Sequence, residues 1–313
     1  MKKHRIITVT VNPALDKSAH FRGLVAEQKI RCEQPRFDAG GGGINVSKAI
    51  SRLGGNSLAI FTAGGPTGEM IKNLMTDEGI DIDTISVASW TRESFVAVDD
   101  NTNSQYRFGF PGAAISSLEK EEIILKIKAI DTELLVLSGS INEGLPANFY
   151  QQIAEIVKEK NIKVIVDTSG ESLEKILQVG VYLIKPNVGE LAKLVGVERL
   201  EMDEVNEAAK KIIDEGGAEI VVVSLGPQGA VLVTKDSYDY VAAPNVVKKS
   251  TVGAGDSMVG GMVWALSQNK SLQEVIRWGV ACGSAATMNE GTQLFKSEDA
   301  TRLFDWLSKQ GQS

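Results

Sequence analysis

The residues best suited to chemistry stand together in Ser250-Thr251-Val252-Gly253-Ala254-Gly255-Asp256-Ser257. Gly253 and Gly255 sit where a chain must turn tightly, and Met258, Val259, Met262, Val263, Ala265 and Leu266 follow at the spacing of a buried helix. The stretch therefore predicts a loop running into a helix over Asp256 to Ser267. The first amides of such a helix have no partner within it and the helix dipole adds positive charge, so a phosphate is stabilised in front of it. Asp256 is out of place beside an anion unless it has a task of its own. Taking a proton from an attacking hydroxyl is one such task, and capping the helix is the other, since Asp is a favoured N-cap residue.

Further polar groups recur where strands end. Asp16 closes Asn12-Pro13-Ala14-Leu15-Asp16 after the strand Ile6 to Val11, the position at which open α/β sheets hold ligands; a loop-solvating charge is the plainer reading. Four glycines, Gly40 to Gly43, precede Ile44-Asn45-Val46 and a helix that stops at Gly54-Gly55. The run lacks the Gly-Lys-Ser/Thr of a P-loop and follows no clear βαβ start, so it fits neither that motif nor a dinucleotide fingerprint. Trp90-Thr91-Arg92 offers a guanidinium whose planar fork can bind two phosphate oxygens, against the plain reading of a surface charge. Asn187-Val188-Gly189-Glu190 has the spacing of a helix N-terminus, and Gly226-Pro227-Gln228-Gly229 reads as a turn joining two apolar strands.

These motifs, in this order along nearly the whole chain, resemble those of the ribokinase-like carbohydrate kinases, the phosphofructokinase-B family, and in particular its phosphosugar-using members. The resemblance implies an α/β fold, a ribokinase-like three-layer α/β/α sandwich with a mostly parallel central sheet and a small β-sheet lid. Residues 1–313 would form one kinase domain, with the lid contributed discontinuously by about 14–38 and 90–112. It further implies that Asp256 is the catalytic base and that Gly253, Ala254 and Gly255 cradle the transferring phosphoryl. The sugar phosphate would meet Asp16, Lys29, Arg31, Gly41, Gly42, Asn45, Arg92 and Ser140, with Arg92 and Lys29 on its phosphate. ATP would meet Lys185, Asn187, Ser224, Gly226, Gly229, Thr251, Gly253, Gly255 and Ser284. Glu190 and Asn187 would hold Mg²⁺ through water, and Ser250, Val252, Ala286, Asn289 and Gly291 are candidates for K⁺. The implied reaction is phosphorylation of fructose 6-phosphate to fructose 1,6-bisphosphate. Tagatose 6-phosphate or fructose 1-phosphate as acceptor, and a non-catalytic sugar-phosphate-binding regulator, are the alternatives.

The elements that must position these groups are legible in outline. Residues 17 to 38 and Ser86 to Phe110 read as extended strands that leave the main sheet. Leu134 to Leu137, Val164 to Val166 and Tyr182 to Ile184 are short apolar strands with helices between them, the pattern of a parallel sheet covered on both faces. Exposed edges on the lid strands invite pairing with a second copy, so a homodimer is expected. The net charge of −7, without a basic cluster, excludes the electrostatic footprint of nucleic-acid or anionic-membrane binding. Hydrophobic residues at 43% suit a globular chain, and no run approaches a membrane span. Lys2, Lys3 and Arg5 lead into a strand and not into a signal-peptide core, which gives a cytoplasmic expectation. Cys32 and Cys282 have no metal or redox spacing.

Overall fold

The computed structural model describes residues 4–112 and 114–310; Lys2 and Lys3 lie outside them. The strands in chain order are β1 (Ile6–Thr10), β2 (Ala14–Phe21), β3 (Arg36–Gly40), β4 (Leu58–Ala63), β5 (Asp81–Ser86), β6 (Arg92–Asp99) and β7 (Ser104–Gly109). They continue with β8 (Leu134–Ser138), β9 (Lys163–Asp167), β10 (Val181–Ile184), β11 (Ala218–Ser224), β12 (Ala230–Val233) and β13 (Tyr238–Val241). The helices are α1 (Gly42–Arg52), α2 (Gly65–Asp77), α3 (Ser117–Ala129), α4 (Phe149–Lys158), α5 (Glu171–Ile176), α6 (Val188–Val195), α7 (Val205–Asp214), α8 (Ala254–Ser267), α9 (Leu272–Thr287) and α10 (Ser297–Gln310).

Nine strands form one sheet in the order β13-β12-β11-β10-β9-β8-β1-β4-β5, parallel except that β12 pairs antiparallel with both β11 and β13. Alternate residues of its strands enter opposite cores, as the two-residue period requires. Leu135 and Leu137 join a core with Ile123, Phe149 and Ile153, whereas Leu134 and Val136 join one with Val46, Val259 and Ile276. Both faces are thus covered by helices, which is the expected sandwich. The order reverses at β1, with β4 on one side and β8 on the other, so a crevice opens at the carboxyl ends of β1 and β8.

The second sheet, β3-β2-β6-β7, is the lid. Its register pairs Asp16 with Asp38 and with Ser94, and Ser94 with Gly109. Paired residues share a face, so Asp16, Asp38, Arg92, Ser94 and Arg107 lie on one side of the lid. Leu15 and Ala39, on the other side, are fixed to the body by Phe61, Ile71 and Met75.

The extended reading of residues 17 to 38 needs correction. Strands occupy only its two ends, and 22–35 is an exposed loop apart from an isolated bridge between Phe21 and Cys32. Lys29 and Arg31 are therefore loop residues. Helix α2 begins at Gly65, where Pro66 in its first turn has a backbone angle already suited to a helix. Cys32 and Cys282 are both free thiols, one exposed and one buried. Among the described residues, no helix is long and apolar enough to cross a membrane.

Candidate active site

Helix α8 starts as its sequence demands. Gly253, at φ 71, occupies the left-handed region at the N-cap, a conformation that a side chain would oppose. The first-turn amides then face the crevice, with Asp256 in the same turn. A side chain at Gly260 would collide with the Ala49 methyl, so glycine there lets α8 lie close against α1 and brings the two helix starts together. Across that junction Asn45 Nδ2 donates to Asp256 Oδ2 at 2.8 Å. Asp256 accordingly does not cap its own helix: no side-chain cap bond is present there.

Burial raises the Asp256 carboxyl to about 7, with Asp167 adding to the rise and the Asn45 hydrogen bond and the Lys185 charge opposing it. A base poised near neutrality is suited to taking a proton from an alcohol. Lys185, at the end of β10 and only 7% exposed, meets Asp167 Oδ1, at the end of neighbouring β9, at 3.2 Å. Burial, the largest single influence, would lower this ammonium, but Asp167, Asp256 and Glu190 together outweigh it and the group is held above its ordinary value. Its Nζ lies 3.6 Å from where a side-chain carbon on Gly255 would stand. A cation at the positive end of a helix is electrostatically unfavourable, so amides and ammonium converge usefully only on a shared anion.

Beside this convergence lies a cavity of about 470 Å³ whose walls include Ser224, Gly226, Gly229, Thr251, Gly255 and Ser284. The walls come from the β11–β12 turn and from the packed pair α8 and α9. That volume lies within the range of small-molecule and cofactor sites.

The opposite side of the crevice is polar. Asp16 is raised to about 6 by burial, with Arg92 opposing the rise and Asp38 adding to it. A side chain at Gly40 would overlap the Asp16 carboxylate, and one at Gly42 would overlap the Ser138 hydroxyl, so the glycine run is what admits close approach here. Arg92 Nε donates to Asn12 Oδ1 at 2.9 Å, and Asn12 Nδ2 donates to Ser140 Oγ at 3.0 Å. Burial lowers the Arg92 guanidinium and the Asp16 charge opposes that change.

Asn187 and Glu190 form a reciprocal capping box at the start of α6, each accepting the other's amide at 2.9 Å. The local reading of that motif is therefore realised. The Glu190 charge also reaches Lys185. Asp167 and Glu190 are hard oxygen donors beside the anion-binding convergence, a donor set that fits Mg²⁺ with most of its waters retained. Behind α8, Ser250 Oγ donates to the Gly291 carbonyl at 3.0 Å, and the Asn289 amide bonds Ala286. The first of these bonds ties the loop before α8, which holds Val252, to the loop after α9, which holds Asn289 and Gly291, with Ala286 in the last turn of α9.

Lys29 and Arg31 are not brought to this crevice within one chain. Both line a separate cavity of about 480 Å³ with Arg22, Glu33 and Asp100. The motifs assign no role to Asp167 or Asn12, although the first closes an apolar strand and the second begins the turn before Asp16. What makes them part of the site is the adjacency of β9 to β10 and of β1 to β8.

Residues 9–299 match the model of the pfkB family carbohydrate kinases. The chain is 43% identical over 307 residues to the ATP-dependent 6-phosphofructokinase isozyme 2 of Escherichia coli (strain K12), covering 97% of this chain and 99% of that one. It is 33% identical over 293 residues to the 1-phosphofructokinase of Bacillus subtilis (strain 168), covering 93% and 95%. A crystal structure of phosphofructokinase-2 from Escherichia coli in complex with potassium superposes with a TM-score of 0.94 at 43% identity, covering 97% of this chain and 99% of the other. The resemblance read from the motifs is borne out, and with it the ribokinase-like fold: the chain belongs to the pfkB family of carbohydrate kinases.

Proposed function

We propose that this kinase transfers the terminal phosphoryl group of ATP to the 1-hydroxyl of fructose 6-phosphate. The observation that carries the reading is the position of Asp256. It is a neutral-range base held by Asn45, with the α8 amides and Lys185 on the nucleotide side and Asp16 and Arg92 on the sugar side. The 43% identity to a 6-phosphofructokinase supports the choice of acceptor.

Asp16 and Asn45 orient the sugar, Gly41 and Gly42 admit it, and Arg92 with Ser140 receives its phosphate. Asp256 takes the proton of the hydroxyl as its oxygen attacks. The amides of Gly253 to Gly255 and the Lys185 ammonium then stabilise charge on the moving group, the largest contribution expected of a site for phosphoryl transfer. Asn187, Glu190 and Asp167 would hold Mg²⁺, which neutralises phosphate charge when bound.

The outward face of the lid carries Phe95 stacked on Phe108 at 6.0 Å, with Phe108 49% exposed. That aromatic surface supports a homodimer joined through the lids, in which Lys29 and Arg31 of one subunit would reach the sugar phosphate of the other. K⁺ on Ser250, Val252, Ala286, Asn289 and Gly291, and a cytoplasmic location, complete the proposal. Ranking kcat/KM for fructose 6-phosphate, tagatose 6-phosphate and fructose 1-phosphate tests it. Preference for the first is expected, and a strong preference for the last would assign the chain to the 1-phosphofructokinase side of the family.

A further inference from the structure

One lid side chain reaches the nucleotide side of the crevice. Arg107 stands on β7, the edge strand, and its register with Val96 places it on the same face as Asp16 and Arg92. It spans 144 residues of sequence to donate from Nη2 to Thr251 Oγ1 at 3.3 Å. Thr251 lines the nucleotide cavity and lies two residues before Gly253.

The bonding of Arg107 is weak for a guanidinium. Its other partner is Gln105 Oε1 at 3.4 Å, and among the described residues no carboxylate forms an ion pair with it. Both distances are long for N–H···O bonds. Arg92, on the same face, is instead committed to Asn12, and Arg36 to Asp38 at 2.8 Å. Arg107 is also exposed and supports no core. An exposed guanidinium with no carboxylate partner among the described residues, next to the positive end of a helix, is free to turn onto an anion that arrives there.

The geometry of transfer leaves such a place open. A phosphoryl group in flight spreads negative charge over three oxygens. The α8 amides meet it from one side and Lys185 from the sheet, while the remaining side faces the lid.

Resting on the kinase reading above, we propose that Arg107 is a catalytic residue whose guanidinium leaves Thr251 to hold the terminal phosphoryl group of the nucleotide as it passes to the sugar hydroxyl. In that step the bond from the γ-phosphorus to the β–γ bridging oxygen breaks, and its electron pair leaves with ADP. The sugar oxygen forms the new bond and its proton goes to Asp256. Arg107 keeps its own protons throughout. Because the cation comes from the lid, full stabilisation is available only when the lid is down over both substrates, which disfavours transfer to water.

Arg107→Ala and Arg107→Lys test this. Loss of the guanidinium should lower kcat about 10²–10³-fold, the range for removing one transition-state donor. KM for both substrates should change by less than about threefold, because the contact forms in the transition state. Lysine should recover only a small part, since a point charge lacks the planar fork, and added guanidinium chloride should partly rescue Arg107→Ala. Binding of ADP with aluminium fluoride, a mimic of the moving phosphoryl, should weaken about 10²-fold or more in Arg107→Ala while ADP alone binds unchanged. That readout is independent of the preferred sugar phosphate, so a wrong acceptor and a wrong role for Arg107 give different results. Retained kcat, a loss confined to the KM of the sugar phosphate, or equal binding of the aluminium fluoride complex would each overturn the proposal.

Discussion

The nine-stranded sheet has apolar strands at its centre, the four-stranded lid has strands that interleave charged and apolar residues, and the two meet different surroundings. At the centre of the large sheet both faces are buried: Leu135, Val136 and Leu137 are all fully inaccessible. In the lid one face carries Asp16, Arg92 and Arg107 toward the crevice, and the other leaves Phe108 half-exposed beyond the α2 contact. The large sheet and its helices therefore fix where the proposed base and phosphate cradle stand, and the lid decides what meets them. Stability resides in the first region and access in the second, and substitutions should separate the two.

The largest effect is expected at their meeting point. Asp256→Asn should lower kcat about 10²–10⁴-fold, the contribution of a positioned base, while ATP still binds as measured by calorimetry. Equal turnover would show that another group takes the proton. In the large sheet, Leu137→Ala should cost about 2–5 kcal/mol in denaturant unfolding, because a buried leucine is replaced by a cavity. The lid counterpart, Phe108→Ala, should leave unfolding of the chain within about 1 kcal/mol and instead shift the sedimentation profile toward monomer. If both substitutions destabilised folding equally, the division between frame and lid would be wrong.

A smaller effect is expected from pH, with opposite signs for stability and for activity. The folded-state carboxyls of Asp256, at about 7, and Asp16, at about 6, both lie above the ordinary 3.8. Between 3.8 and those values the folded chain holds more protons than the unfolded one, so these two groups make stability fall as pH rises through that window. Activity runs the other way, since Asp256 must be ionised to accept a proton. The melting temperature of Asp256→Asn should exceed that of the parent at pH 8 and converge with it near pH 4; an unchanged difference would mean that the carboxyl is not raised. A functional group held at a cost to stability is the usual exchange at an active site.

Much of this arrangement is legible in the sequence, and the parts that are not share a reason. Gly253 to Asp256 and the Asn187–Glu190 box are local signals: turn, cap and period lie within a few residues. Lys185 reads as a strand end, yet its pairing with Asp167 depends on β9 lying beside β10, and no spacing along the chain encodes that. Arg107 is hidden in the same way, because only the lid register turns it toward Thr251. The loop holding Lys29 and Arg31 reads as strand because weak alternation looks alike in a loop and an edge strand. Helix α3 has a capping box at Ser116 and Glu119, but the run Ile123-Ile124-Leu125 and the exposed Leu118 and Leu125 blur the face on which Ile123 and Ile127 are buried, so its period is hard to read. Helix α5 is only six residues long, too short for a period to show.

The most direct measurement is a crystal structure of the enzyme with fructose 6-phosphate, ADP and aluminium fluoride. The metal fluoride should lie against the amides of Gly253 to Gly255, with the sugar 1-oxygen within about 3 Å of the Asp256 carboxylate, the reach required of a general base. A fluoride group bound away from that helix start, or an acceptor oxygen out of reach of Asp256, would contradict the account.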